Sequence, residues 1–153
     1  MPNSEDSSFV VFDGDPLWSF FDEEAGDEQY ASAEPPAGFR LRQTDETFPM
    51  VHLQAELPAE LTLVAIGGMS LEAEQAVLRL FEEAEVVADL FLPTCLYPFD
   101  IGALEASLRQ TRRLLVVEEG QGFVSLSSEV LAQVAECWGQ LGINSTRLVA
   151  SPC

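Results

Sequence analysis

Apolar residues recur along the second half of this chain in two alternating rhythms. Short unbroken apolar runs take turns with stretches in which apolar positions return every three or four residues. "LTLVAI" (Leu61 to Ile66) is continuous and stops at Gly67-Gly68, as a strand covered on both faces should. In "SLEAEQAVLRLFEEA", Ala73, Ala76, Val77, Leu80, Phe81 and Ala84 share one helical face, and Ser70 is the expected N-cap. "EVVADLFL" is the next strand. Asp100 then caps a helix that carries Ile101, Leu104 and Leu108 on one face. "RRLLVVEEG" predicts a strand over Leu114 to Val117. "SSEVLAQVAECWGQLG" predicts a helix with Val130, Leu131, Val134, Ala135, Trp138 and Leu141 inward and Gly142 at its end. "TRLVAS" closes the series, with Pro152 as its stop, and "MVHLQA" (Met50 to Ala55) is a further strand ahead of it. Strands alternating with helices predict an α/β fold: a parallel sheet, right-handed crossovers, helices on both faces.

The pattern changes near residue 60. Through that position lie 14 of the 26 acidic residues, and the only basic ones are Arg40 and Arg42. "DEEAGDEQYASAEPPAG" (Asp22 to Gly38) reads as an extended linker. "FVVF" (Phe9 to Phe12) is the apolar exception, a short buried strand stopped by the turn "DGDP".

The net charge of −19 excludes partners that need clustered Lys and Arg, namely nucleic acid and anionic membrane, and suits a basic protein partner. Lysine is absent, which excludes Schiff-base chemistry. Cys95, Cys137 and Cys153 have no CxxC spacing and no signal peptide precedes them, so free thiols in a reducing cytoplasm are expected. The start, "MPNSEDSS", lacks the basic and apolar residues of a targeting segment.

In an open parallel sheet, ligands and partners meet the loops beyond the strands' carboxyl ends. Here those loops are "GGMS", "PTCLYPFD" and "EEGQGF". Gly67 and Gly68 allow a tight strand-to-helix turn, but GxGxxG is absent. Glu118 and Glu119 are adjacent, so a strand sends them to opposite faces and they form no acid/base pair. Gly120 and Gly122 make the loop after them mobile or tightly turned. His52, the single histidine, is read as structural, since no HxxxH, HExxH or CxxC metal spacing occurs. Cys95 follows a strand, with no histidine expected nearby to activate it. Ser125, Ser127 and Ser128 surround a helix start and are read as caps. In "CLYPFD", Leu96 and Tyr97 are expected to pack under the turn, Pro98 to fix its direction and Asp100 to cap the next helix. The residues therefore offer no self-sufficient catalytic set.

Taken together and in order, "LTLVAIGGMSLEAEQAVLRL", "LYPFDIGALEASLRQTRRLLVVEEG", "GFVSLSSEVLAQVAE" and "TRLVASPC" resemble the C-terminal domain of transketolase-like, thiamine diphosphate-dependent enzymes. The likeness is greatest to the beta subunit of the decarboxylating component of 2-oxo acid dehydrogenase complexes. It covers residues 49–153, with Gly67, Gly68, Leu96, Tyr97, Pro98, Asp100, Glu118, Glu119 and Gly120 as its fingerprint. It implies a three-layer α/β/α domain with a five-stranded, mostly parallel sheet and "MVHLQA" as an antiparallel edge strand. Residues 1–48 become an acidic leader and linker, in which Phe9 to Trp18 resembles the end of a pyrimidine-binding domain. The resemblance implies no cofactor on this chain; thiamine diphosphate and Mg belong to the parent enzyme's other domains. Implied partners are those domains or subunits, a second copy of the chain, and a basic binding domain of the acyltransferase. The family often carries Asp-Leu-Arg before the turn, where Leu92, Pro93 and Thr94 stand here, so that arginine's role is not supplied. The departure leaves a second reading: a free-standing binding regulator that reuses the fold.

Overall fold

A computed structural model describes residues 35–150 of the protein. The strand and turn expected over Phe9 to Trp18, the start of the linker and Pro152 lie outside the described residues.

Among the described residues, six strands form one sheet. They are β1 (Phe39–Gln43), β2 (Met50–Ala55), β3 (Leu61–Ile66), β4 (Ala88–Pro93), β5 (Arg113–Glu119) and β6 (Asn144–Ala150), in the spatial order β1-β2-β4-β3-β5-β6. The strands β3 to β6 run parallel, and β1 and β2 are antiparallel to their neighbours. The mostly parallel α/β architecture is the expected one, but the sheet has one strand more than the five anticipated. The addition is β1, inside the segment read as linker; it pairs with β2 from Phe39↔Ala55 to Gln43↔Val51, so β2 is not an edge strand. Periodicity missed it because only Phe39 and Leu41 are apolar in "FRLRQ", too few for a pattern. Tertiary packing supplies what the pattern lacks: Phe39 is buried edge-on against Phe81, with ring centroids 5.4 Å apart.

The helices are α1 (Ser70–Ala84), α2 (Glu105–Thr111) and α3 (Leu126–Trp138). From β3 to β4 the chain steps one way across the sheet, while from β4 to β5 and β5 to β6 it steps the other way. Right-handed crossovers therefore set α1 on one face and α2 with α3 on the opposite face. On the second face one cluster joins Met50, Val64, Phe91, Leu104, Leu108, Val116, Val134 and Trp138, and no α1 residue enters it. Fully burying side chains of this kind stabilises by about 1.5–3 kcal/mol each.

Two local details differ from expectation, and a third concerns the helix ends. Ser70 is buried but does not cap α1, because a 3₁₀ turn over Gly67–Met69 precedes the helix and Met69 takes the cap position. Ala76 and Ala84 are exposed, so α1 buries a narrower stripe, chiefly Ala73 and Val77. The helices α1 and α2 end without glycine, at Glu85 and Arg112 with φ of 55° and 54°; each backbone N–H closes onto a carbonyl, of Leu80 and Leu108.

Candidate functional site

The carboxyl ends of β3, β4 and β5 bring three loops to one edge. At the first, Gly67 has φ 66°, which favours glycine in the turn, while a Cβ on Gly68 would stand 3.2 Å from Oε2 of the exposed Glu119, a side-chain end that can move aside. At the third, Glu118 is buried and accepts a hydrogen bond from the Ser127 N–H at 2.7 Å, a carboxylate at the positive end of α3. Glu119 is exposed and on the other face. Ser125 is the α3 N-cap and accepts from the Ser128 N–H at 3.3 Å.

The same loop is held from the neighbouring strand. Nη1 of Arg147, on β6, donates to the Gly122 carbonyl at 2.9 Å, to Oγ of Ser125 at 2.7 Å and to the Ser128 hydroxyl. The fastened loop presents Phe123 and Val124 at 87% and 86% exposure, and Val124 has φ 56°, a conformation that a β-branched residue rarely adopts. In the middle loop, Asp100 accepts from the Gly102 N–H at 2.8 Å, as a cap should. Leu96 packs on the core as expected, but Tyr97 does not: it is 92% exposed, and Phe99 fills the space under the turn instead. The Tyr97–Pro98 peptide is cis. Cys95 donates to the Tyr97 carbonyl at 3.2 Å.

Sequence reasoning did not find a second polar constellation, which lies beneath α2. Asp89 on β4 is buried; it accepts from the Ala55 N–H at 3.1 Å and the Ser107 hydroxyl at 3.0 Å. Ser107, Thr62 and Thr111 continue the chain through two contacts of 2.8 Å. His52 stacks on Phe91 with centroids 4.0 Å apart, and its Nε2 lies 3.6 Å from Asp89, beyond hydrogen-bond length. Burial works to raise the Asp89 pKa, but His52 beside it, the Ala55 N–H and the Ser107 hydroxyl outweigh burial and hold it below the ordinary 3.8. The one visible signal was an aspartate inside the apolar run "EVVADLFLP".

The sheet order and helix placement are those of a known domain, and sequence comparison agrees. The family described as transketolase, C-terminal domain, matches residues 51–153. The chain belongs to the transketolase C-terminal domain family. The beta subunit of acetoin:2,6-dichlorophenolindophenol oxidoreductase from Bacillus subtilis (strain 168) is 31% identical over 77 residues, 50% of this chain and 22% of that relative. A pyruvate dehydrogenase E1 component subunit beta from Staphylococcus epidermidis is 34% identical over 77 residues, 50% of this chain and 23% of its own length. The chain thus spans less than a quarter of the curated relatives it matches. Among solved structures, a split gene transketolase in an inactive beta4 tetramer aligns with TM-score 0.54 at 24% identity, over 63% of this chain and 31% of that one. The 2-oxoglutarate:ferredoxin oxidoreductase from Magnetococcus marinus aligns with TM-score 0.53 at 17% identity, over 67% of this chain and 16% of that one. These last two likenesses establish the fold alone.

In this transketolase C-terminal domain the carboxyl edge is poorly suited to a diphosphate. The Glu119 carboxylate stands where Gly68 opens, and the Glu118 carboxylate already takes the Ser127 N–H. An anionic phosphate at the Gly68 turn would meet the Glu119 carboxylate. Among the described residues no group of three or more His, Cys, Asp or Glu is placed to hold a metal ion, and no helix is long and apolar enough to cross a membrane.

Proposed function

We propose that this chain is a non-catalytic assembly domain of a thiamine diphosphate-dependent 2-oxo acid dehydrogenase or transketolase-like enzyme, and that it assembles through the carboxyl edge of its sheet. One observation carries the reading: the side chains of Tyr97, Phe123 and Val124, all more than 85% exposed, stand on the loops of that single edge. Exposed apolar side chains gathered along one edge suit an association surface. Arg147 and the Ser125 cap hold the Phe123–Val124 loop in one shape, which reduces the ordering cost of docking. Val124 in the left-handed region is backbone strain of the kind kept where a surface has a task.

The parent enzyme, working in the cytoplasm, decarboxylates a 2-oxo acid and passes the acyl group to a lipoyl carrier; its cofactor and Mg ion sit on other domains. The charge of −19 would steer a basic binding domain of the acyltransferase to the same assembly. The test uses this chain, the cofactor-binding domains of a thiamine diphosphate-dependent 2-oxo acid dehydrogenase, and a basic acyltransferase binding domain. Complexes are followed by analytical ultracentrifugation as salt rises. Association at low salt that weakens with salt, and is lost in a Tyr97→Ser/Phe123→Ser double variant, is expected. No complex with either partner at low salt ends the proposal.

A further inference from the structure

To one side of the assembly edge the sheet ends at β6, which among the described residues pairs only with β5. The Asn144 N–H donates to the Arg112 carbonyl at 2.9 Å, and the Ala150 carbonyl accepts from the Gly120 N–H at 2.8 Å. Backbone direction alternates along a strand, so Asn144, Thr146, Leu148 and Ala150 turn their N–H and C=O groups toward β5. Ser145, Arg147 and Val149 turn theirs outward, where no described backbone group meets them. Open edges are normally guarded by charges, proline or a bulge. The opposite edge strand, β1, carries exposed Arg40 and Arg42. In β6 the single charged residue is Arg147, and its guanidinium is drawn back to Gly122, Ser125 and Ser128 on the loop after β5, away from the open side.

The side chains along this edge are self-complementary. Leu114 and Val116 join the core under α2 and α3, so Arg113, Leu115, Val117 and Glu119 face the α1 side. Register places Asn144, Thr146, Leu148 and Ala150 beside those four, in that order. The helix α1 packs chiefly over β3 and β4, and Leu148 is left 56% exposed. Arg113 and Glu119 stand at opposite ends of β5, both exposed, and no ion pair among the described residues includes either. The edge is therefore positive at one end, apolar in the middle and negative at the other end.

We propose that β6 pairs antiparallel with β6 of a second copy of this chain, about a two-fold axis at Arg147, so that two sheets become one. Ser145 then faces Val149 of the second copy and Arg147 faces its counterpart, each pair exchanging N–H···O=C bonds in both directions. On the α1 side, Leu148 stands opposite Thr146 and diagonal to the other Leu148, so each leucine helps to cover the other. The axis also sets Asn144 opposite Ala150. Arg113 of each copy then shares a row with Glu119 of the other, with Cα atoms three strand spacings or about 14–15 Å apart and only Asn144 and the small Ala150 between them. Charge complementarity selects a second copy in this orientation, since it brings acid to base at both ends of the seam. The net charge of −19 opposes pairing, and salt at about 0.15 M confines that repulsion to about 8 Å.

Sedimentation velocity of the full chain at about 0.15 M salt, over concentrations up to about 1 mM, is the test. A monomer–dimer equilibrium is expected. Val149→Pro removes an outward N–H from each copy and should weaken the dimer about tenfold or more. Leu148→Lys changes an exposed side chain, keeps the fold should the proline variant lose it, and should weaken the dimer by a similar factor. Arg113→Glu and Glu119→Arg should each weaken it about threefold, and the double swap, which leaves the net charge unchanged, should restore it. A chain that stays monomeric throughout overturns the proposal. So does a dimer indifferent to Leu148→Lys, or one that the double swap fails to restore. The Tyr97→Ser/Phe123→Ser variant should leave the dimer intact; its loss there would move self-association to the assembly edge and overturn the β6 seam.

Discussion

Val124→Gly should make the protein more stable while making it a poorer partner. The φ of 56° places Val124 in the left-handed region, at a cost of roughly 1–2 kcal/mol for an L-residue. Glycine removes that cost but adds unfolded-state entropy worth roughly 0.5–1 kcal/mol. The side chain is 86% exposed, so its removal leaves no cavity. The net gain is about 0.5–1 kcal/mol, or a rise in melting temperature of about 2–5 °C for a domain of this size. Guanidinium melts of the two chains, with equal slopes, measure it directly. The same variant removes an apolar contact from the docking edge, so complex formation should weaken. A melting temperature that is unchanged or lower would refute the strain argument. Stability that rises without any loss of association would remove Val124 from the proposed interface.

Thr62→Val takes the hydroxyl from the node between Ser107 and Thr111. It should destabilise by about 1–3 kcal/mol in denaturant melts, since two buried groups lose a partner. Asp89 has a depressed pKa when folded, so the stability it supplies is present above the unfolded carboxylate value of about 3.9 and is lost as pH falls through the folded value. Asp89→Asn should therefore lower stability at neutral pH and flatten its acid dependence below about pH 4, as read by melts from pH 7 downward. Arg147→Ala should free the loop after β5, with a loss of about 1 kcal/mol and faster proteolytic cleavage around residues 120–125.

Where burial is complete, the sequence announced the structure. The runs in β3, β4 and β5 are largely apolar on both faces because helices cover both, and Thr62 and Asp89 are single polar positions rather than an alternation. Asp100 and Ser125 were readable as caps because their chemistry is local to a few residues. The strand β1 was hidden because its stability comes from pairing with β2 and from Phe81, distant in sequence. Tyr97 was expected under the turn and Phe99 lies there instead, for a similar reason: two aromatics in one turn compete for one space, and only the folded backbone decides which enters. The Asp89 constellation draws on β2, β3, β4 and α2, so no single window of sequence contains it.

The clasp of Arg147 on the loop after β5 also sets an order of events during synthesis. That loop leaves the ribosome before β6 does, and until β6 pairs with β5 its three acceptors on Gly122, Ser125 and Ser128 have no guanidinium to hold them. A nascent chain therefore shows a loose loop, and the shape proposed for docking appears only when β6 pairs with β5. Pairing of β6 and, on the proposed assembly role, competence to dock then become the same step, which would keep half-made chains from docking.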